Sequence, residues 1–311
     1  MYNPIKPYKS KIIKLIKKTW DTPYVSIKNG VIKKKFSHPE VNHTDGIGTK
    51  GIYHWRKQSL KNAVIDALAM NLNDLAVMRA TPYAVIDHLF LPKDDNKIIL
   101  EIIRDLSREC RKRNIAISGG ETAIHNNLEG LEISIAMLGF VEKPKGNQLK
   151  INDLLIGIES SGLHSNGFTK IREIFGNEYK PEFTKPTNIY IDTIRSLNKQ
   201  FEIHGMMHIT GGAFTKLKDI LSKDADIIIR KDHLLRPQEI FFEIYNRGVS
   251  DEEMYKTFNC GIGFVIGVGE KDADEILKRI KEFKADIIGE VIKGNHKIKI
   301  ESIFSKKEVK Y

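Results

Sequence analysis

The chain has 311 residues, 41% of them apolar, two cysteines and a formal net charge of +10. That length and apolar content suit two folded domains better than one and exclude a largely disordered chain. Cys110 and Cys260 are too few for a disulfide framework and lack metal-ligand spacing, so both read as reduced, inert thiols.

The basic surplus is local. Residues 1–40 hold ten lysines against Asp21 and Glu40, which leaves the remainder close to neutral. Such a segment attracts phosphate of any kind, or simply presents a solvated lysine face. A surplus of this size ordinarily raises nucleic acid as a partner. Because it is confined to one short segment, nucleic-acid binding is kept as a minor alternative and no nucleic-acid partner is expected. The N-terminus has no apolar signal core, and no stretch approaches the roughly 18 apolar residues of a membrane span. A soluble, cytoplasmic protein without a membrane partner is expected.

Residues 10–18 read as a short amphipathic helix with Ile12, Ile13, Leu15 and Ile16 set against lysines. Asn29-Gly30 is a turn between two β-like stretches, Tyr24–Lys28 and Val31–Phe36. A glycine-bearing loop, Thr44–Lys50, precedes a long helix from about Ser59 to Arg79. On that helix Leu60, Val64, Ala67, Leu68, Leu72, Leu75 and Met78 form an apolar stripe, with Asp66 and Asn73 placed away from it. A strand over Ala84–Leu91, a helix over 96–113 and a strand over Ile115–Ser118 follow, the last ending at Gly119-Gly120-Glu121-Thr122. Leu131–Val141 is a further strand, and Lys143–Lys150, with Pro144 and Gly146, is the linker. Beyond it, Asp153–Ser160 is a strand that enters the loop Ser160–Gly167 and a helix over Phe168–Phe175. His208–Phe214 is a glycine turn before a helix, and Asn259–Gly263 opens the strand Phe264–Gly269. Interleaved strands and helices define a mixed α/β class, with domains over 1–145 and 146–311.

Thr44–Lys50 packs two glycines, Asp45, two hydroxyls and Lys50 into seven residues. Backbone N–H groups of such a loop can face phosphate while Asp45 reaches a metal; an Asp-Gly turn with an exposed lysine is the plainer alternative. Asp74 follows Asn73 on the long helix, either as a metal ligand or as a solvent-facing carboxylate. Glu121 is expected to project from a strand end, where α/β sheets place ligands. Asp45, Asp74 and Glu121 together suit Mg²⁺, which takes a few carboxylates plus phosphate oxygens and water. His164, among Ser160, Ser161, Ser165 and Asn166, offers a group that titrates near neutrality, or belongs to a polar helix cap. The residues alone thus point to a phosphate-handling, Mg²⁺-dependent enzyme and name no reaction.

The series Thr44–Lys50, Asn73-Asp74, Gly119–Thr122, Ser160–Gly167, Pro186-Thr187, His208–Gly212, Glu253–Gly261 and Ile288–Val291 resembles the aminoimidazole ribonucleotide synthetase family over roughly 41–292. The resemblance implies ATP-dependent cyclisation of formylglycinamidine ribonucleotide, in de novo purine biosynthesis, with release of ADP and phosphate. It further implies a homodimer whose N-terminal domains pool their strands into a β-barrel, each followed by a C-terminal α/β domain. Carried over, Asp45, Asp74 and Glu121 would hold Mg²⁺ and triphosphate, with Thr44, Gly46, Gly48, Thr49 and Lys50 around them. Asp66, Asn73 and Thr122 fall in the same stretches, while His164, Asn166, Thr210, Gly211 and Gly212 would face the substrate. Lys9, after Tyr8, echoes a family Tyr-Lys pair. Two features depart from the pattern. The family's Gly-Gly-Phe-Gly loop is replaced by Pro23–Phe36, and Arg79 stands where the family has glycine. Arginine there adds bulk and does not enter positive φ freely, or supplies a phosphate-binding guanidinium instead. Alternatives are a related superfamily kinase or synthetase, and a catalytically weakened ATP-binding scaffold.

Overall fold

The computed structural model describes residues 6–311. They form two compact units, one comprising the chain up to Lys143 together with Tyr179–Pro186, the other Pro144–Glu178 with Thr187–Tyr311.

The first unit contains α1 (Lys9–Ile16), β1 (Val25–Lys28), β2 (Val31–Lys34), β3 (Glu40–Gly46), α2 (Lys50–Lys57), α3 (Leu60–Val77), β4 (Thr81–Leu91), α4 (Asn96–Lys112), β5 (Ala116–Ile124) and β6 (Glu132–Phe140). Asn29 and Gly30 both take positive φ, 53° and 76°, as the tight turn between β1 and β2 demands. The larger sheet runs β3-β6-β4-β5, antiparallel except for the parallel pair β4 and β5. Strand β6 alternates, with Ile133, Ile135 and Met137 buried, and α3 packs on that side against β3, β6 and β4. The opposite face is partly open: Thr44 and Ala136 are exposed, and Ile86 is 46% exposed. The β1–β2 hairpin covers one end of the sheet, where Val25 and Ile27 cluster with Tyr83, Ala84, Ala116 and Phe140.

Two expectations change here. Helix α3 is buried on nearly every side, Asp66 and Asn73 included, because α2 and α4 close the flanks that the sheet leaves free. Strand β5 does not stop at Gly119-Gly120 but runs through them. Gly120 lies against the Asp87 carboxylate, and a Cβ there would meet Asp87 Oδ1 at 2.5 Å. The glycine admits the neighbouring side chain, and the strand continues.

The second unit contains β7 (Asp153–Glu159), α5 (Phe168–Phe175), α6 (Ile191–Gln200), β8 (Ile203–His208), β9 (Ala225–Ile229), α7 (Glu239–Asn246), α8 (Asp251–Thr257), β10 (Ile262–Gly269), α9 (Glu270–Arg279), β11 (Ala285–Lys293), β12 (Ile298–Glu301) and β13 (Glu308–Lys310). Its sheet runs β13-β12-β9-β11-β7-β10-β8. The turn after β8 leads into a 3₁₀ helix over Ala213–Ile220. Both cysteines are free and buried, and burial pushes each thiol well above its usual range, which keeps them protonated and unreactive.

Candidate functional site

The end of β3 presents the first cluster. His43 and Asp45 alternate with Thr44, so both point to the α3 side while Thr44 points to the open face. His43 Nε2 lies 3.0 Å from Asp74 Oδ2, and His43 Nδ1 lies 3.0 Å from Asn71 Oδ1. Asn71 Nδ2 donates to the carbonyls of Asp45 (3.2 Å) and Ala67 (2.9 Å), which leaves its oxygen as the acceptor facing His43. With acceptors at both ring nitrogens, the imidazolium is favoured, and the Asp74 hydrogen bond raises the His43 pKa. Asp74 is therefore a half-buried carboxylate joined to Asp45 by a hydrogen-bonded chain, and not a solvent-facing helix charge. Asp45 accepts the Gly46 N–H at 2.7 Å.

The glycine loop is occupied from within. The Ile47 N–H donates to Glu132 Oε1 at 2.9 Å, and the Gly48 N–H also reaches the Glu132 carboxylate. A Cβ on Gly46 would come within 2.2 Å of Glu132 Oε1, so glycine there makes room for the acid. These two loop amides thus face a carboxylate of the protein and not an open phosphate niche. Lys50 likewise points inward. It is fully buried, with Nζ 3.0 and 2.8 Å from the two Asp66 oxygens and 2.6 Å from the Lys185 carbonyl. His54 Nε2 meets Asp66 Oδ2 at 2.7 Å, and its Nδ1 meets Ser59 Oγ at 2.8 Å. Lys50 and Asp66 are consequently internal groups that shape the loop.

Glu121 is in mid-strand, paired with His88. Its register row runs through His88, Ser134 and Gly46, one step from the row Gly120, Asp87, Ile135 and Asp45. Alternation puts Glu121 on the open face, opposite the side that Asp45 uses, and two strands separate them. Its carboxylate meets Lys6 Nζ at 2.7 Å and accepts the Thr122 N–H; that Lys6 bond holds its pKa below the usual range. Asp45 and Asp74 both act on His43, the chain of hydrogen bonds from Asp74 ending on the Asp45 backbone carbonyl. Glu121 lies apart. Among the described residues, no group of three or more His, Cys, Asp or Glu side chains is arranged to hold a metal. Lys9 stands exposed at the start of α1, beside buried Tyr8.

Neither Glu132 nor Asp87 stands out in the sequence. Asp87 is buried within β4, on the same face and register row as Asp45, and burial pushes its pKa up to about 7. An acid inside an otherwise apolar strand, with a Gly-Gly pair on the neighbouring strand, was the available signal.

Arg79 takes φ 57°. Ala80 N–H bonds to the Leu75 carbonyl and Arg79 N–H to the Ala76 carbonyl, both at 2.9 Å, the pattern of a helix end whose next residue is left-handed.

In the second unit, His164 is 1% exposed with φ 58°. Its Nε2 accepts the Ser161 N–H at 3.1 Å, which keeps that nitrogen unprotonated. Gly263 packs against both it and the Tyr190 ring, whose centroid lies 6.1 Å from the imidazole. His164 therefore braces its loop from inside. Asn166 Oδ1 lies 3.8 Å from a Cβ position on Gly211. Gly211 and Gly212 are exposed, while Thr210 is buried and accepts from Lys216 Nζ at 2.9 Å. These polar groups gather beyond the C-terminal ends of β7 and β8.

The two units define an AIR-synthase-related protein: the N-terminal domain described as AIR synthase related matches residues 28–141 and the C-terminal domain matches 150–301. The same fold occurs in E. coli HypE, a hydrogenase maturation protein, with a TM-score of 0.72 at 15% identity, covering 97% of this chain and 96% of that one. Thiamine-monophosphate kinase of Stenotrophomonas maltophilia is similar too, with a TM-score of 0.70 at 16% identity over 96% of both chains. Sequence resolves the branch. The chain is 36% identical over 262 residues to the phosphoribosylformylglycinamidine cyclo-ligase of Saccharolobus solfataricus, covering 81% of this chain and 79% of the relative. It is 34% identical over 291 residues to that of Methanocaldococcus jannaschii, covering 86% and 82%. The chain belongs to the phosphoribosylformylglycinamidine cyclo-ligase family.

Proposed function

We propose that this protein closes the imidazole ring of formylglycinamidine ribonucleotide, giving 5-aminoimidazole ribonucleotide, ADP and phosphate in purine biosynthesis. The carrying observation is identity of 34–36% to two relatives of that name over 79–82% of their length. A HypE structure of the same fold in complex with ATP supports nucleotide as a substrate.

An amide oxygen is a poor leaving group. Phosphoryl transfer from ATP converts it to a phosphate ester, the nearby amine nitrogen attacks the activated carbon, and phosphate departs with the oxygen. Catalysis of this kind rests on positioning and on neutralising charge. Asp45 and Asp74, whose carboxylates both act on His43, suit a cation that takes two carboxylates and completes its shell with phosphate and water. Mg²⁺ there would neutralise the triphosphate. Thr44, Gly46, Gly48, Thr49, Asn73 and Thr122 fall to the surroundings of the nucleotide, Lys50 and Asp66 to holding its loop, and Glu121 to a separate contact on the open face. Asn166, Thr210, Gly211 and Gly212 take the substrate side, with His164 bracing them. Lys9 is the proposed mobile ammonium for the triphosphate. A homodimer is proposed, supported by the partly open face around Ile86 and Ala136, as are a cytoplasmic location and no nucleic-acid partner.

The test is direct: purified protein, formylglycinamidine ribonucleotide, ATP and Mg²⁺, with aminoimidazole ribonucleotide assayed against ADP. One ADP per product is expected, and excess chelator should stop both. Absence of product from folded protein overturns the reading.

A further inference from the structure

We propose that buried Lys50 is the positioning residue that ties the Asp45–Thr49 loop to the Tyr179–Pro186 segment, so that loop and segment open and close together. That segment leaves the second unit in sequence, docks in the first and returns. Anchors on α2 and α3 hold it. Phe183 is fully buried, edge-on to Tyr53 with centroids 5.0 Å apart. Asn62 Nδ2 donates to the Thr184 carbonyl at 2.9 Å, and Lys57 Nζ sits 4.1 Å from the Tyr179 ring centroid. Lys50 Nζ donates to the Lys185 carbonyl at 2.6 Å.

Lys50 differs from the other anchors because it directly follows the loop, as the first residue of α2. An ammonium out of reach of water needs each of its donors answered. Asp66 provides two oxygens, and the Lys185 carbonyl provides another. The carbonyl is in place only while the segment is docked, and the ammonium only while the loop keeps its turn. Glu132 pins the other side of the same loop through the Ile47 N–H. Departure of the segment therefore takes one acceptor from a buried cation, and displacement of the loop takes the donor from a buried carbonyl. Two residues beyond Lys185, Thr187 lies in the second unit, where its Oγ1 meets Ser165 Oγ at 3.2 Å.

The tie itself is independent of the reaction; its consequence for nucleotide rests on the cyclo-ligase reading. Hydrogen exchange of the full chain tests the tie. In Lys50→Met, peptides covering 44–50 and 179–186 should both exchange about tenfold faster, while β6 stays protected. Asn62→Ala removes only the bond to Thr184, and it too should speed both peptides. It decides the matter alone if Lys50→Met fails to fold. Exposed Lys61→Ala is the control and should change neither. Faster exchange in one peptide without the other, in either variant, overturns the tie. Calorimetric titration with Mg·ATP tests the consequence, with the dissociation constant in Lys50→Met expected to rise about tenfold over wild type. Unchanged affinity with both peptides loosened removes the positioning role. A wild type that binds no Mg·ATP sinks the nucleotide reading and leaves the exchange result standing.

Discussion

His43 bridges Asp74 and Asn71, with each ring nitrogen 3.0 Å from an acceptor oxygen. The Asp74 hydrogen bond raises its pKa above the ordinary 6.5. A histidine raised in the folded state contributes stability that is fully present below its unfolded pKa, about 6.5, and that is lost as pH rises through the folded value. An NMR titration should place the His43 midpoint above 6.5, and Asp74→Asn should bring it down. A midpoint unmoved by that substitution would mean the pair is not formed.

Asp74→Asn and Asp66→Asn should fail differently. Removing a charge that acts on the reacting phosphate costs about a hundredfold in kcat, near 3 kcal/mol, so Asp74→Asn is expected to fold normally and turn over poorly. Asp66 answers buried Lys50 and His54, and breaking one partner of a buried pair costs about 3–5 kcal/mol of stability. Denaturant melts alongside steady-state rates separate the two; equal stability in both variants would contradict the placement of Asp66.

Asp87 makes the protein less stable as pH rises. Its folded pKa is about 7 against an ordinary 3.8, so the folded state holds a proton that the unfolded state releases. This group weakens folding progressively between about pH 4 and 7, by about 4 kcal/mol in all. Asp87→Asn, neutral throughout, should flatten that part of the profile. The check is urea unfolding at intervals from pH 4 to 8, and an unchanged slope would show that Asp87 is charged in the native state.

Arg79 occupies the left-handed position after α3. Arg79→Gly and Arg79→Ala lose the same long side chain but differ in their tolerance of positive φ. The glycine variant should be the more stable by about 1 kcal/mol, read as the difference in unfolding midpoints. An alanine variant of equal stability would mean that the helix end has rearranged.

Lys9→Ala should raise the ATP KM about tenfold if this exposed ammonium neutralises triphosphate, while Lys14→Ala should not. Matching ATP titrations for the two variants and wild type would leave Lys9 as a solvated surface residue.

Local pattern made much of this protein legible from the chain alone. The Asn29-Gly30 turn needs residues that accept positive φ, and β6 needs alternating side chains; both are properties of neighbouring residues, so the sequence carries them. The series of short motifs determined the family for the same reason, since their order and spacing are written along the chain. Burial is not local. Whether Lys50 faces a phosphate or an aspartate depends on residues 66 and 185, and whether Glu121 ends a strand depends on Asp87 needing the space beside Gly120. The glycine loop looked ready for phosphate because Glu132, which takes two of its N–H groups, lies more than 80 residues away. Tertiary structure alone decided which polar residues point inward, because the cost of burying a charge is met only by partners that folding brings from elsewhere in the chain.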